Sequence, residues 1–251
     1  MNERTVILFV VLVFLALLSP VPAAAGDWKP ITPRELAAAL AAKDRPPVVI
    51  NNMSLIECLD HSIAGSLCIP AEEFAARIGE LPPDKDRPVV FFCESERGDR
   101  SCTAAETAVK KGYKAVYVLE GGLPAWKREG YETVSVQRVE RLAIPSLKPA
   151  ALERRLDLRE PLLVVDLRPE DRFAQGHIPG ALNLPLYQLH RRWRELPLDR
   201  TLILVDNRGF RSHLAASYLA GRGYRVAPLF GGMRAWLAMK AKEGRSNKAG
   251  K

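Results

Sequence analysis

Cys93 closes an apolar run, Val89-Val-Phe-Phe92, and opens a polar loop reading Cys93-Glu-Ser-Glu-Arg-Gly-Asp-Arg100-Ser101, which leads into an alanine-rich stretch. Successive backbone N–H groups in such a loop point inward and make a nest for an anion. The N-terminus of the helix expected next adds its dipole at the same spot. A cysteine in that position is favoured as the thiolate, which is the nucleophilic form. Arg100 would hold an anionic substrate or a charged intermediate. Ser95, Arg97, Gly98 and Ser101 complete the candidate substrate-binding set. Glu94, Glu96 and Asp99 oppose thiolate formation while Arg97 and Arg100 favour it, so the sequence leaves the electrostatic balance open.

The chain of 251 residues repeats this framework. Gly65 and Gly180, Pro70 and Pro185, and Pro82 and Pro197 are each 115 residues apart. Arg100-Ser101 is echoed by Arg211-Ser212, Gly112-Tyr113 by Gly223-Tyr224, and Gly121-Gly122 with Trp126 by Gly231-Gly232 with Trp236. One substitution separates the copies chemically. The second strand, Leu202-Ile-Leu-Val205, runs into Asp206, a carboxylate where the first copy has a thiol.

Short apolar runs alternating with amphipathic stretches predict parallel strands covered on both faces by helices, an α/β fold in two domains. Strands are expected at 48–51, 89–92 and 115–119, then at 162–166, 202–205 and 226–229. Helices are expected at 33–42, 71–78 and 100–111, then near 148–156, 186–195 and 211–222. The first domain spans 29–130, a linker without clear period covers 131–146, and the second domain spans 147–243. The basic tail, 244–251, reads as disordered.

The second copy contains Val165-Asp166-Leu-Arg168-Pro, Gly176-His177-Ile-Pro-Gly180-Ala-Leu-Asn-Leu-Pro185, Arg211-Ser212, Gly223-Tyr224 and Gly231-Gly232 with Trp236. This pattern resembles the rhodanese (thiosulfate sulfurtransferase) family. The first copy is a more divergent likeness, with Asn51 where Asp166 stands and Ser62-Ile-Ala-Gly65-Ser for His-Ile-Pro-Gly-Ala. The resemblance implies two rhodanese-like domains. It implies that Cys93 takes a sulfane sulfur as a persulfide and passes it to a nucleophilic acceptor, with Arg100 holding the anion. Asp206 cannot carry a persulfide, so the second domain should be inactive and its carboxylate left to stabilise a helix N-terminus. Two departures stand out. The cysteine lies in the N-terminal copy, and the loop from Cys93 to Arg100 is longer than the common sulfurtransferase loop.

Residues 1–25 have the anatomy of a secretory signal: Arg4, an apolar run from Thr5 to Leu18, and small residues before a cleavage point after Ala25. The mature protein is then expected to be periplasmic or secreted and not held by a membrane. Net charge is +8, but the basic residues are scattered, which with export argues against nucleic acid. All four cysteines, Cys58, Cys68, Cys93 and Cys102, fall in the first copy. At most one disulfide is expected, with Cys58 a core residue, Cys68 without a clear role, and Cys102 either packed core or a resolving partner for Cys93. His61 and His177 read as structural, and neither a metal nor an organic cofactor is expected. Expected partners are a small sulfur-containing anion or protein persulfide as donor and a thiol or cyanide as acceptor. A non-enzymatic sulfur carrier or docking module, and a thiol redox protein using Cys93 and Cys102, stand as alternatives to an exported sulfurtransferase.

Overall fold

All four side chains of Val89–Phe92 are buried. A strand without an exposed side needs helices on both faces, and the chain supplies them. The computed structural model describes residues 28–94 and 98–249. It contains two parallel sheets. The first orders β1 (Lys29–Ile31), β2 (Val48–Asn51), β3 (Leu67–Cys68), β4 (Val89–Phe92) and β5 (Val116–Leu119) as β1-β5-β4-β2-β3. The second orders β6 (Leu162–Asp166), β7 (Leu182–Asn183), β8 (Thr201–Val205) and β9 (Val226–Pro228) as β7-β6-β8-β9. The fold is α/β, as expected.

Alternation along β4 sorts the first core into two layers. Val89 and Phe91 pack with Phe74 of α3 (Phe74–Arg77) and with Ala104, Ala105 and Ala108 of α4 (Asp99–Lys110). Val90 and Phe92 pack on the opposite face with Leu36 of α1 (Pro33–Ala41) and with Leu123 and Trp126 of α5 (Gly122–Arg128). Leu202 and Leu204 of β8 likewise meet α8 (Leu186–Arg192) and α9 (Phe210–Ala220). Ile203 and Val205 meet α6 (Pro149–Asp157) and α10 (Gly232–Ala249). The repeated Gly-Tyr pairs have a common use. The Tyr113 hydroxyl donates to the Pro82 carbonyl at 2.8 Å, and the Tyr224 hydroxyl to that of Trp193 at 2.9 Å. Each tyrosine ties the end of a helix back to the turn before the central strand.

Several elements differ from expectation. β1, β3, β7 and the short helices α2 (Leu55–Asp60) and α7 (Glu170–Ala174) were not read from sequence. The helix expected at 71–78 is only four residues long and tightens into a 3₁₀ turn over Ile78–Glu80. The tail expected to be disordered from 244 continues α10 to Ala249. Ala, Lys and Glu fill the turns before it and favour helix, and Lys240 pairs with both Glu243 and Glu153 of α6. The segment read as a secretory signal lies outside the described residues. Among the described residues, no helix is long and apolar enough to cross a membrane.

α2 joins the two halves. Ser54 caps it with a reciprocal box, its hydroxyl accepting from Glu57 N–H while the Glu57 carboxylate accepts from Ser54 N–H at 2.9 Å. Ile56 enters the second domain's core alongside Val139 of the connecting segment. Asp60, at the other end of α2, accepts from Val139 N–H at 2.7 Å and pairs with Arg141 at 2.6 Å.

Candidate functional site

Cys93 and Asp206 occupy equivalent places. The Cys93 carbonyl accepts the N–H of Leu123 at 2.8 Å, and the Asp206 carbonyl accepts the N–H of Met233 at 2.8 Å. Each follows a central strand and is held under the glycine pair that starts α5 or α10. Gly232 leaves no room for a side chain there. A Cβ would press into the Asp206 carbonyl and lie 2.9 Å from the Arg208 nitrogen.

Past Cys93 the chain reaches Gly98, whose φ of +67° suits glycine and turns the chain into α4. The Cys102 N–H donates to the Gly98 carbonyl at 2.8 Å. Cys93 itself is fully buried. Ser95 and Arg97 lie outside the described residues. Arg100, expected to face an anionic substrate, is already paired, its guanidinium 2.5 Å from the Glu94 carboxylate and 3.5 Å from that of Glu57. Arg211, at the start of α9 in the second repeat, pairs with Glu94 and lies 3.6 Å from Glu57. Two guanidinium groups and two carboxylates thus alternate around Glu94, the residue after Cys93, across the boundary between the repeats.

This arrangement favours the charged forms of Glu94 and Arg100. Burial works to raise the Glu94 pKa, but Arg100 and Arg211 outweigh it and hold the carboxyl down at about 2. Burial works against the Arg100 charge, yet Glu57 and Glu94 raise its pKa above the ordinary arginine value. Among the described residues, the buried Arg100 Nε and Ser101 Oγ have no hydrogen-bond partner. These are donors still available within the loop.

The second loop contains its own anion. The Asp206 carboxylate accepts the backbone N–H of Gly209 and that of Arg211, the latter at 2.7 Å. Ser212 Oγ donates to the Gly209 carbonyl at 3.0 Å. A side-chain carboxylate thus takes up the backbone N–H groups at the start of α9.

Cys58 and Cys68 form a disulfide that ties α2 to β3. Cys58 is therefore both packed and bridged, and Cys68 gains a role the sequence did not show. Cys93 and Cys102 are present as thiols in different clusters on opposite faces of the first sheet. His61 caps the end of α2 and lies 2.8 Å from Asp60, while His177 stacks on Phe173 with ring centroids 3.9 Å apart. Trp126 and Trp236 are buried in matching cores.

Sequence reasoning missed Glu57, the pairing role of Glu94, and Arg211 as a neighbour of the first loop. Ser54-Leu-Ile-Glu57 carried the capping-box signal for α2. No local signal marks the reach of Arg211 across the boundary.

The Rhodanese-like domain model matches the chain twice, over residues 32–129 and 148–239. The chain belongs to that family. A sulfurtransferase from Allochromatium vinosum is 42% identical over 87 residues, covering 34% of this chain and 81% of that protein. A thiosulfate sulfurtransferase from Gallus gallus is 27% identical over 232 residues, covering 78% of this chain and 80% of that one. The thiosulfate sulfurtransferase GlpE of Ectopseudomonas mendocina is 42% identical over 77 residues, covering 30% and 71%. The two rhodanese-like repeats thus share a backbone frame and differ at the strand end: a cysteine in the first, a hydrogen-bonded carboxylate in the second.

Proposed function

We propose that this protein is a sulfurtransferase in which Cys93 carries the transferred sulfur and the second repeat is a non-catalytic partner. The observation that carries this reading is the equivalence of Cys93 and Asp206 at the two strand ends, with a nucleophile at only one of them. Relatives described as sulfurtransferases support the reaction class.

With thiosulfate as donor, the Cys93 thiolate attacks the outer sulfur. The sulfur–sulfur bond of the donor breaks, and sulfite leaves with the electron pair. The persulfide so formed is attacked at its terminal sulfur by cyanide or a thiolate. The Cys93 sulfur leaves as thiolate, and the product is thiocyanate or a new persulfide. No external oxidant or reductant is consumed. In this scheme Arg100 receives the donor's anionic end in exchange for Glu94. The Ser101 hydroxyl and the Gly98 backbone help hold the loaded sulfur, with Ser95 and Arg97 completing the loop. Export is part of the proposal, and a Cys58–Cys68 disulfide fits an oxidising compartment.

The test is the intact mass of reduced-at-Cys93, disulfide-intact protein after thiosulfate, before and after cyanide. A gain of one sulfur, removed by cyanide with release of thiocyanate and absent in Cys93→Ser, supports the reading. Equal loading of Cys93→Ser overturns the assignment of Cys93.

A second reading follows from the pairing of Arg100 with Glu94 and Glu57. With its guanidinium occupied, the site suits sulfur handed over by a partner's persulfide, as in a carrier. Poor loading from thiosulfate together with complete loading from a protein persulfide favours this version.

A further inference from the structure

A cavity of about 320 Å³ opens where the end of α2, the last turn of α5 and the connecting segment meet. It lies apart from the Cys93 loop, and the proposed sulfur transfer makes no use of it. Its lining includes Asp60, His61, Lys127, Thr133, Arg138 and Arg141. Three permanent cations face one carboxylate, and that carboxylate is already engaged. Asp60 accepts from Val139 N–H at 2.7 Å, pairs with Arg141 at 2.6 Å and meets His61 Nδ1 at 2.8 Å. Among the described residues, no hydrogen bond or ion pair engages the Lys127 ammonium or the Arg138 guanidinium.

Lys127 and His61 both register the surroundings of the cavity. Burial, opposed by Asp60 and helped by Arg141, lowers the Lys127 pKa. Burial and Lys127 together lower that of His61, outweighing Asp60, so the imidazole is neutral near neutral pH and adds no cation. The cavity therefore keeps two uncompensated positive charges. The Thr133 hydroxyl can donate, and water occupies only about 30 Å³ per molecule, so there is room for a small solvated anion. Guanidinium and ammonium groups make their strongest hydrogen bonds to doubly charged oxyanions.

We infer that this cavity is a second anion site, binding a small tetrahedral dianion of the sulfate or phosphate class through Lys127, Arg138 and Arg141, with Asp60 holding Arg141 in place. Sulfur oxyanions and inorganic phosphate share this chemistry.

The experiment is calorimetric titration of sulfate, phosphate, thiosulfate and nitrate, at low ionic strength and near neutral pH, into the full chain with Cys93→Ser. That background blocks persulfide formation, so failure of the proposed sulfur transfer and failure of this inference are read separately. One dianion per chain that depends on Lys127 and Arg138 is expected, with nitrate weaker and with Lys127→Gln and Arg138→Gln each weakening its binding about tenfold by removing a charge-assisted hydrogen bond. Both positions are exposed, and thermal melts check that the variants stay folded. Tighter binding of sulfate or thiosulfate than phosphate identifies sulfur oxyanions as the ligand, and the reverse order identifies phosphate. Absence of dianion binding, or binding indifferent to both substitutions, overturns the inference.

Discussion

Glu94, the residue after the thiol, is ion-paired with Arg211 of the second repeat. The repeat that lacks the cysteine therefore supplies a charge to the loop that has it. Removing the Arg211 guanidinium leaves Glu94 and Glu57 to Arg100 alone. Arg211→Gln is expected to lower the rate of Cys93 persulfide formation several-fold without abolishing it, since Arg100 stays. Stopped mass measurements after thiosulfate addition check this, and an unchanged rate would show that the pair plays no part in loading.

The depressed Glu94 pKa sets a pH signature. The folded state holds this carboxyl near 2 against an ordinary value of 4.5. Its pairing therefore stabilises the fold fully above about pH 4.5, and the contribution is lost as pH falls toward 2. Glu94→Gln should cost of the order of 1–3 kcal/mol at neutral pH and progressively less below pH 4.5. Denaturant titrations of both proteins at neutral and acid pH give the comparison.

Asp206→Ala leaves the Gly209 and Arg211 N–H groups without their acceptor. A loss of about 2 kcal/mol is expected, typical for a cap with charged hydrogen bonds. Persulfide loading per folded molecule should be unchanged. Loss of loading in a fully folded variant would show that Asp206 contributes to it, directly or by holding Arg211.

The Cys58–Cys68 bridge closes a short loop, with a sequence separation of 10. Loop-entropy reasoning gives about 2–3 kcal/mol for such a closure. The double variant Cys58→Ser, Cys68→Ser should unfold at correspondingly lower denaturant, and reductant should bring wild type to the same midpoint.

Gly232→Ala should damage the second domain severely, by roughly 3 kcal/mol or more, because backbone atoms rather than flexible side chains meet the new Cβ. Gly79→Ala, where nothing lies within 4 Å, should change stability by less than about 1 kcal/mol. Paired melts of the two variants separate crowding from a generic glycine effect.

The central strands were legible because burial on both faces writes an uninterrupted apolar run, as in Val89–Phe92 and Leu202–Val205. β3 and β7 are two residues long and carry no period to detect. β1 is an exposed edge, so its Lys29-Pro30-Ile31 has no apolar pattern. Cys93 and the helix start after it were legible because an apolar strand end and a glycine before an alanine-rich stretch are recognisable residue types. The rest of the ion-pair cluster was not, because Glu57 lies 43 residues before Arg100 in the chain and Arg211, which shares its carboxylates, belongs to the other repeat. Only packing of α2 between the domains brings them together.

The Asp206 carboxylate has a further consequence as a tethered ligand. A group held three residues from its donor meets it at an effective concentration set by the chain and not by the solution. Free sulfate, phosphate or thiosulfate must displace a ligand that cannot diffuse away. The second loop is therefore insensitive to the anion content of its surroundings, and only the rest of the protein is left to respond to it.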